Sequence, residues 1–224
     1  MKRIAAVLFA LVVAGCAGAS HDTESPARDK AGAPESAPDT SAAAASSLPA
    51  PKVETPPTYH KGYKLTFRSR NTTFDVTYEG VQDGLLVFHY DTRDKLPYDY
   101  LYTPDLKLAA IYDAQQQSRF DPAVGYLSFP LVVGGKWDVS YKVTSNSRHS
   151  MGEISVEVMA FEPVHVPYGT LNAFRIRVRS SDREVGRMNP FETYWYSPDI
   201  GYFVKHETNK PVYEDPYELI AVSK

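Results

Sequence analysis

The sequence predicts an all-β domain, built as an antiparallel curled sheet or partly open β-barrel and preceded by a disordered tether. Three observations predict it. Apolar and polar residues alternate with a period of two through most of residues 58–224, turn sequences separate these runs, and no window carries a helical apolar period of helical length. A β-sandwich is the alternative, because periodicity alone does not distinguish these architectures.

The first predicted strand shows the pattern. Leu65 and Phe67 fall on one face, and Lys64 and Thr66 fall on the other. The same alternation predicts further strands at residues 74–79, 85–90, 98–102, 107–112, 126–132, 137–144, 154–161, 171–178, 192–196, 202–207 and 217–222. Residues 113–120 have room for a helical turn or two. Pairs such as Asp83–Gly84 and Gly134–Gly135 provide the turns between strands.

The two tryptophans stand in predicted strands. Trp137 shares its strand face with Val139 and Tyr141, so we expect its ring to be buried. Trp195 has the opposite parity to its two flanking tyrosines, so the sequence leaves its environment open.

Charge and cysteine content exclude several classes of protein. The 224-residue chain has 24 basic and 27 acidic residues and a formal charge of −3, which lacks the basic excess that phosphate binding requires. We therefore expect no nucleic-acid partner. One Cys permits neither an intramolecular disulfide nor a zinc site built from several cysteines.

The N-terminus resembles that of a bacterial lipoprotein. Lys2 and Arg3 precede an apolar run at residues 4–13, which is about half the length of a membrane span. The run ends in Val-Ala-Gly-Cys, with the only Cys of the chain at Cys16. This resemblance to a lipobox implies a signal peptide at residues 1–15 and acylation of Cys16, which anchors the chain firmly in a membrane. The alternative is an ordinary secreted protein with an incidental Cys.

Residues 16–57 are predicted to form a flexible linker. Residues 17–57 contain no aromatic side chain but hold eleven Ala, seven Pro and six Ser, so they cannot bury enough apolar area to offset their ordering entropy. A chain that starts near Thr58 is expected to melt like the longer chain. Ala17 and Gly18 follow the Cys in place of an Asp, which by resemblance to Gram-negative sorting favours the outer membrane, facing the periplasm.

The sequence predicts no enzyme. Gly-x-Ser-x-Gly, His-Glu-x-x-His and Gly-rich phosphate loops are absent, and the six His are scattered. We accordingly expect no catalytic residue, no metal site and no cofactor.

Three arginines alternate with apolar residues in one predicted strand. Arg175, Arg177 and Arg179 share a strand face at a spacing of about 7 Å, which suits an anionic ligand such as a lipid headgroup, a glycan carboxylate or a phosphate. The plainer interpretation is an exposed face whose cations meet acids on a neighbouring strand. A hairpin turn at residues 167–169 would bring Glu162 close to Arg175.

Tyrosines form a second candidate ligand site. Their rings offer an apolar face and a hydroxyl to a lipid-like or glycan ligand, but tyrosine is also an ordinary strand residue. The candidate ligand-binding tyrosines are Tyr98, Tyr100, Tyr102, Tyr194 and Tyr196.

Three segments in the second half of the domain together resemble a known family. They are a Gly-Lys-Trp strand at residues 133–137, a Val-Pro-Tyr-Gly-Thr hairpin with the following strand at residues 164–176, and a Tyr-Trp-Tyr-Ser-Pro hairpin at residues 192–205. Their order is similar to that of the bacterial envelope domain of unknown function 3108. The resemblance implies an exported, β-rich, non-catalytic domain.

Two functions follow from these observations. The preferred one is a membrane-anchored envelope lipoprotein whose β domain binds a lipid-like or glycan ligand. The alternative is a structural or protein-interaction module of the cell envelope. A deep cavity lined by Tyr and Phe would favour the first, and a filled core with an exposed patch would favour the second.

Overall fold

The described residues of the domain form a closed antiparallel β-barrel of twelve strands. The structure is a computed structural model and describes residues 51–70, 72–93, 96–146, 148–182, 187–208 and 215–223. The strands are β1 (Lys64–Ser69), β2 (Thr72–Gln82), β3 (Leu85–Thr92), β4 (Tyr98–Tyr102), β5 (Leu108–Asp113), β6 (Gln117–Val124), β7 (Lys136–Ser145), β8 (Arg148–Val166), β9 (Gly169–Asp182), β10 (Arg187–Ser197), β11 (Tyr202–Thr208) and β12 (Tyr217–Ser223). The all-β prediction is confirmed, and the sheet closes completely where a partly open barrel was expected.

Each strand pairs with its neighbours in the chain, and β1 pairs with β12 to close the barrel. The longest hairpin joins β8 and β9, whose register runs from Gly152↔Asp182 to Val166↔Gly169 with one bulge near Val158. The β11–β12 pairing is the shortest described, with Lys205 opposite Glu218 and His206 opposite Tyr217. Among the described residues, no helix has the length and hydropathy of a membrane span.

Large apolar side chains fill the barrel. Phe67, Phe88 and Phe174 are each no more than 1% exposed, and they come from different parts of the wall. The ring centroids of Phe88 and Tyr202 lie 5.5 Å apart, although β3 and β11 are not neighbours in the sheet. This contact therefore crosses the interior.

One predicted strand is wrong. Residues 126–132 do not belong to the wall, and Leu127 and Leu131 are almost completely buried in the core instead. Their alternation reflects packing against that core. The missing wall strand is β6, at Gln117–Val124, where a helical turn was expected. Its largely polar sequence contains Pro122 and shows little alternation, which hides the strand from a period-two search.

The ordered contacts of the domain begin before the predicted boundary at Thr58. Val53 exchanges two backbone hydrogen bonds with Leu131, at 3.1 and 2.8 Å. Pro57 lies against Gly201, and the hydroxyl of Tyr59 donates a hydrogen bond to the carbonyl of Gly201 at 2.5 Å. We call residues 51–60 the N-terminal strap. The sequence places residues 51–57 in the linker. In the structure, Val53 and Pro57 nevertheless make contacts with the domain.

The two tryptophans occupy different environments. Trp137 is only half-buried, contrary to expectation, and its indole N–H donates to the carbonyl of Gly125 at 3.0 Å. Trp195 is 8% exposed and donates to Glu162 Oε1 at 3.1 Å. Trp195, whose environment the sequence leaves open, is therefore buried, whereas the expected burial of Trp137 is only partial.

Candidate functional site

The tyrosines of β4 line the inside of the barrel wall. Tyr98, Tyr100 and Tyr102 lie opposite Tyr90, Phe88 and Leu86 of β3 in the strand register. The ring of Tyr90 lies 5.1 Å from that of Tyr98 and 4.5 Å from that of Tyr100. The structure thus brings these predicted residues together as a packed aromatic cluster.

A hydrogen bond extends this cluster across the interior. The hydroxyls of Tyr90 and Tyr202 bond to one another, which links β3 to β11. Burial raises the pKa of Tyr90 and of Tyr102 well above the usual value, and neighbouring tyrosines raise both further. These phenols therefore stay neutral and serve as polar links within an apolar core.

The other candidate tyrosines belong to the core. Tyr194 is 2% exposed and Tyr196 is 1% exposed. Tyr194 stacks on His206 with ring centroids 4.4 Å apart, and its hydroxyl donates to Glu192 Oε2 at 2.6 Å. Neither ring presents a face to an external ligand.

The cavity found among the described interior side chains is small. A cavity of about 20 Å³ lies at Tyr102, Leu106, Leu127, Tyr196, Gly201, Tyr202 and Phe203. It has room for about one water molecule, and neither a lipid chain nor a sugar ring would fit.

A buried polar cluster was not anticipated from the sequence. His206 is 1% exposed, and its Nε2 lacks a hydrogen-bond partner within the described residues, while Glu192 Oε2 lies 3.9 Å away. Burial lowers the pKa of His206 to about 4, and burial raises the pKa of Glu192. The strand register that opposes Tyr194 to His206 is the signal that would have predicted their meeting.

The arginines of β9 lie on the outer face of the barrel and have different surroundings. Arg175 Nε lies 3.6 Å from Glu162 Oε1, as the plainer interpretation of the sequence expected. The same carboxylate accepts the indole N–H of Trp195, and the ammonium of Lys205 lies 5.2 Å from the centroid of that ring. Arg175 is thus held in a structural network.

Arg177 and Arg179 line a groove that runs over β7, β8 and β9. We call it the outer groove, and its volume is about 230 Å³. Its lining residues are Lys136, Trp137, Asp138, Ser155, Val156, Glu157, Arg177 and Arg179. The strand register explains the set, because Lys136 lies opposite Glu157, and Glu157 lies opposite Arg177.

Charge is arranged unevenly in the outer groove. Lys136 Nζ lies 2.7 Å from Glu157 Oε1, and this hydrogen bond, with the charges of Lys136, Arg177 and Arg179, lowers the pKa of Glu157. The guanidinium of Arg177 lies over the ring of Phe191, at 5.3 Å from its centroid. None of the described ion pairs includes Arg177 or Arg179.

The sequence predicts an acylation site at Cys16 and no metal site. In the part of the chain that the structure covers, no three His, Cys, Asp or Glu side chains are grouped closely enough to hold a metal ion. Cys16, the predicted acylation site, lies outside the described residues.

No known protein family matches the chain, and no curated protein matches it either. The resemblance to the domain of unknown function 3108 therefore stays a prediction.

Three solved structures share part of the architecture. The hypothetical lipoprotein YmcC of Escherichia coli K12 is 10% identical, with a TM-score of 0.45 over 75% of this chain and 90% of its own. A protein of Bacteroides fragilis assigned as exported, with a YmcC-like fold, is 14% identical, with a TM-score of 0.46 over 77% and 100%. A protein of Parabacteroides distasonis assigned as a lipoprotein is 10% identical, with a TM-score of 0.40 over 77% and 99%.

Proposed function

We propose that this protein is a bacterial envelope lipoprotein whose non-catalytic barrel binds a lipid-like or glycan ligand on its outer wall. The N-terminal pattern supports acylation at Cys16, because a short apolar run ends in small residues and the only Cys of the chain. Ala17 and Gly18 support placement at the outer membrane, facing the periplasm.

The observation that carries the binding mode is the contrast between the interior and the outer wall. The interior cavity of about 20 Å³ admits no ligand larger than water, whereas the outer groove offers about 230 Å³ beside two arginines outside any described ion pair. This contrast supports a ligand that binds from outside the barrel.

Purification of the acylated protein from envelopes tests the binding function. Mass spectrometry of the bound material is expected to find a saccharide or lipid in stoichiometric amount, and to lose it at high salt if charge holds it. Recovery of the protein with neither class of ligand would contradict the proposal.

Anchoring is tested separately. Cys16→Ser removes the thiol that the acyl chains would modify, so the protein is expected to remain unprocessed or to become soluble. Fractionation of the variant with membranes in high salt would overturn the lipoprotein assignment. A position in the cytoplasmic membrane on a density gradient would overturn only the outer-membrane placement.

A protein-interaction module is the second candidate, and the filled interior favours it. Exposed apolar side chains such as Val81, Met151 and Tyr168 lie on the surface. The same purification separates the two functions, because this candidate predicts a stoichiometric protein partner and no small ligand.

A further inference from the structure

We propose that the outer groove is a binding site for an anionic sugar, a single ring that carries a phosphate or a carboxylate. This inference deepens the proposed function and rests on it. It assigns the ligand class to the groove defined by Lys136, Arg177 and Arg179.

The charges of the groove favour an anion. Its lining holds three cations, Lys136, Arg177 and Arg179, against two acids, Asp138 and Glu157. Glu157 lies 2.7 Å from Lys136 and opposite Arg177 in the strand register, so the lining as a whole carries one net positive charge. The local excess is positive although the whole chain carries −3.

The geometry favours recognition by arginine. Arg177 and Arg179 are two residues apart on one strand, so their side chains leave the sheet about 7 Å apart on the same face. Each guanidinium presents a planar fork of donors that matches a phosphate or carboxylate in a bidentate bond. The ring of Phe191 lies under Arg177, which restricts the guanidinium and lowers the entropy cost of binding.

The size of the groove favours a sugar ring over a bare anion. A volume of about 230 Å³ is more than ten times the roughly 10–15 Å³ that one water molecule requires by the same measure. A phosphate ion would fill only part of it. A sugar supplies hydroxyls that suit Ser155 and Asp138.

The test uses the full acylated chain in non-ionic detergent micelles, titrated by calorimetry with glucose 6-phosphate, glucuronate, glucose and inorganic phosphate. Both anionic sugars are expected to bind at least 10-fold more tightly than glucose, and glucose 6-phosphate at least 10-fold more tightly than phosphate. Arg177→Gln/Arg179→Gln is expected to weaken both anionic sugars at least 10-fold.

A matched control removes the same charge elsewhere. Arg68→Gln/Arg70→Gln replaces two exposed arginines that pair with Glu218 and Asp215, and it should leave sugar binding unchanged. If the groove variant fails to fold by circular dichroism, the single Arg179→Gln change at an exposed position takes its place.

The outcomes separate this inference from the proposed function. Equal binding to the groove variant and the control overturns the groove assignment, and phosphate as tight as glucose 6-phosphate overturns the sugar class. If neither anionic sugar binds, the inference is wrong. Recovery of another envelope ligand with the purified protein would still support the proposed function.

Discussion

His206 is the residue whose surroundings conflict most with its chemistry. Its ring lies between Tyr194, at 4.4 Å, and Tyr217, at 5.2 Å, and the facing acids are Glu192 at 3.9 Å and the neighbouring Glu207. Burial lowers the pKa of His206 to about 4 and outweighs the hydrogen bond with the carbonyl of Asp215. The neutral ring is thus the form that the fold accepts.

The stability of the barrel should therefore fall with acid. An unfolded His titrates near 6.5, so the free energy of unfolding drops as the pH falls from about 6.5 to about 4, by about 3 kcal/mol for this group. Denaturant melts at pH 7 and pH 4.5 measure the drop. His206→Phe should remove most of it, and the exposed His165→Phe should not.

Glu192 acts in the opposite direction. Burial raises its pKa, so its contribution to stability is present in acid and is lost as the pH rises through the folded pKa. Glu192→Gln should therefore steepen the acid loss measured for the unmodified chain. A flatter profile in that variant would contradict this assignment, because it would mean that folding lowers the pKa of Glu192 instead of raising it.

Tyr194 and Tyr196 give a second prediction at the residue scale. Both rings are buried, and each contacts Phe203, with centroids 5.2 and 5.9 Å away. Tyr194→Ser/Tyr196→Ser should cost more than about 5 kcal/mol and unfold the domain, because each change leaves a cavity. A thermal melt decides it. A variant that keeps its melting temperature would show that these rings are dispensable, as expected of ligand-facing residues.

At the scale of elements, the N-terminal strap is a part of the domain that the amino-acid composition does not predict. Residues 51–57 have the Pro-rich character of the linker, yet Val53 bonds Leu131 and Pro57 packs on Gly201. A chain starting at Thr58 should therefore be less stable than one starting at Pro51, by about 2 kcal/mol or roughly 4 to 8 °C. Equal melting temperatures would show that these contacts contribute nothing.

The strands themselves were largely predictable, because a half-buried strand imprints its period on the sequence. Phe74, Val76 and Tyr78 in β2 illustrate this, since all three pack against the core. β6 left no such imprint, and residues 126–132 showed alternation without joining the wall. Alternation with a period of two indicates which side chains are buried. It does not indicate whether the segment that carries them belongs to the barrel wall.

The candidate site was predictable in part for the same reason. The sequence places Arg177 and Arg179 on one face, and the structure agrees. Their companions Lys136 and Glu157 come from two other strands, so only the register of the β7–β8 and β8–β9 hairpins brings them together. All five candidate tyrosines alternate with other residues in their strands. Tyr194 and Tyr196 are buried in the core, whereas Tyr98, Tyr100 and Tyr102 are only partly buried. The alternation along a strand does not distinguish these two groups.

At the scale of the whole molecule, closure of the barrel decides where function can lie. The twelve described strands enclose a space, and aromatic side chains from strands that are not neighbours, such as Phe88 and Tyr202, meet within it. Because the cavity at Tyr102 and Tyr202 has a volume of only about 20 Å³, the outer wall is the better candidate for recognition of a ligand. The number of strands in the structure is close to the number that the sequence predicts. The alternation within each strand predicts neither the closure of the barrel nor the packing of its interior.

The described barrel wall has its fewest paired residues along the line where β11 meets β12. β11 and β12 pair through two residues each, whereas every other neighbouring pair among the described residues has at least four. The turn of the β8–β9 hairpin adds one bond across this region, from the N–H of Tyr168 to the carbonyl of Leu219 at 3.1 Å. Short pairing means that few interactions must break for the barrel to open there.

We therefore expect the β11–β12 line to open before the rest of the barrel. In hydrogen exchange at neutral pH, amides that bond between these strands should exchange at least 10-fold faster than those between β7 and β8, whose register spans ten residue pairs. Lys205→Cys/Glu218→Cys, oxidised to a disulfide between directly opposed residues, should abolish the difference. Slower exchange at β11–β12 than at β7–β8 in the unmodified chain would show that core packing by Leu219 and His206, rather than strand pairing, holds the barrel closed.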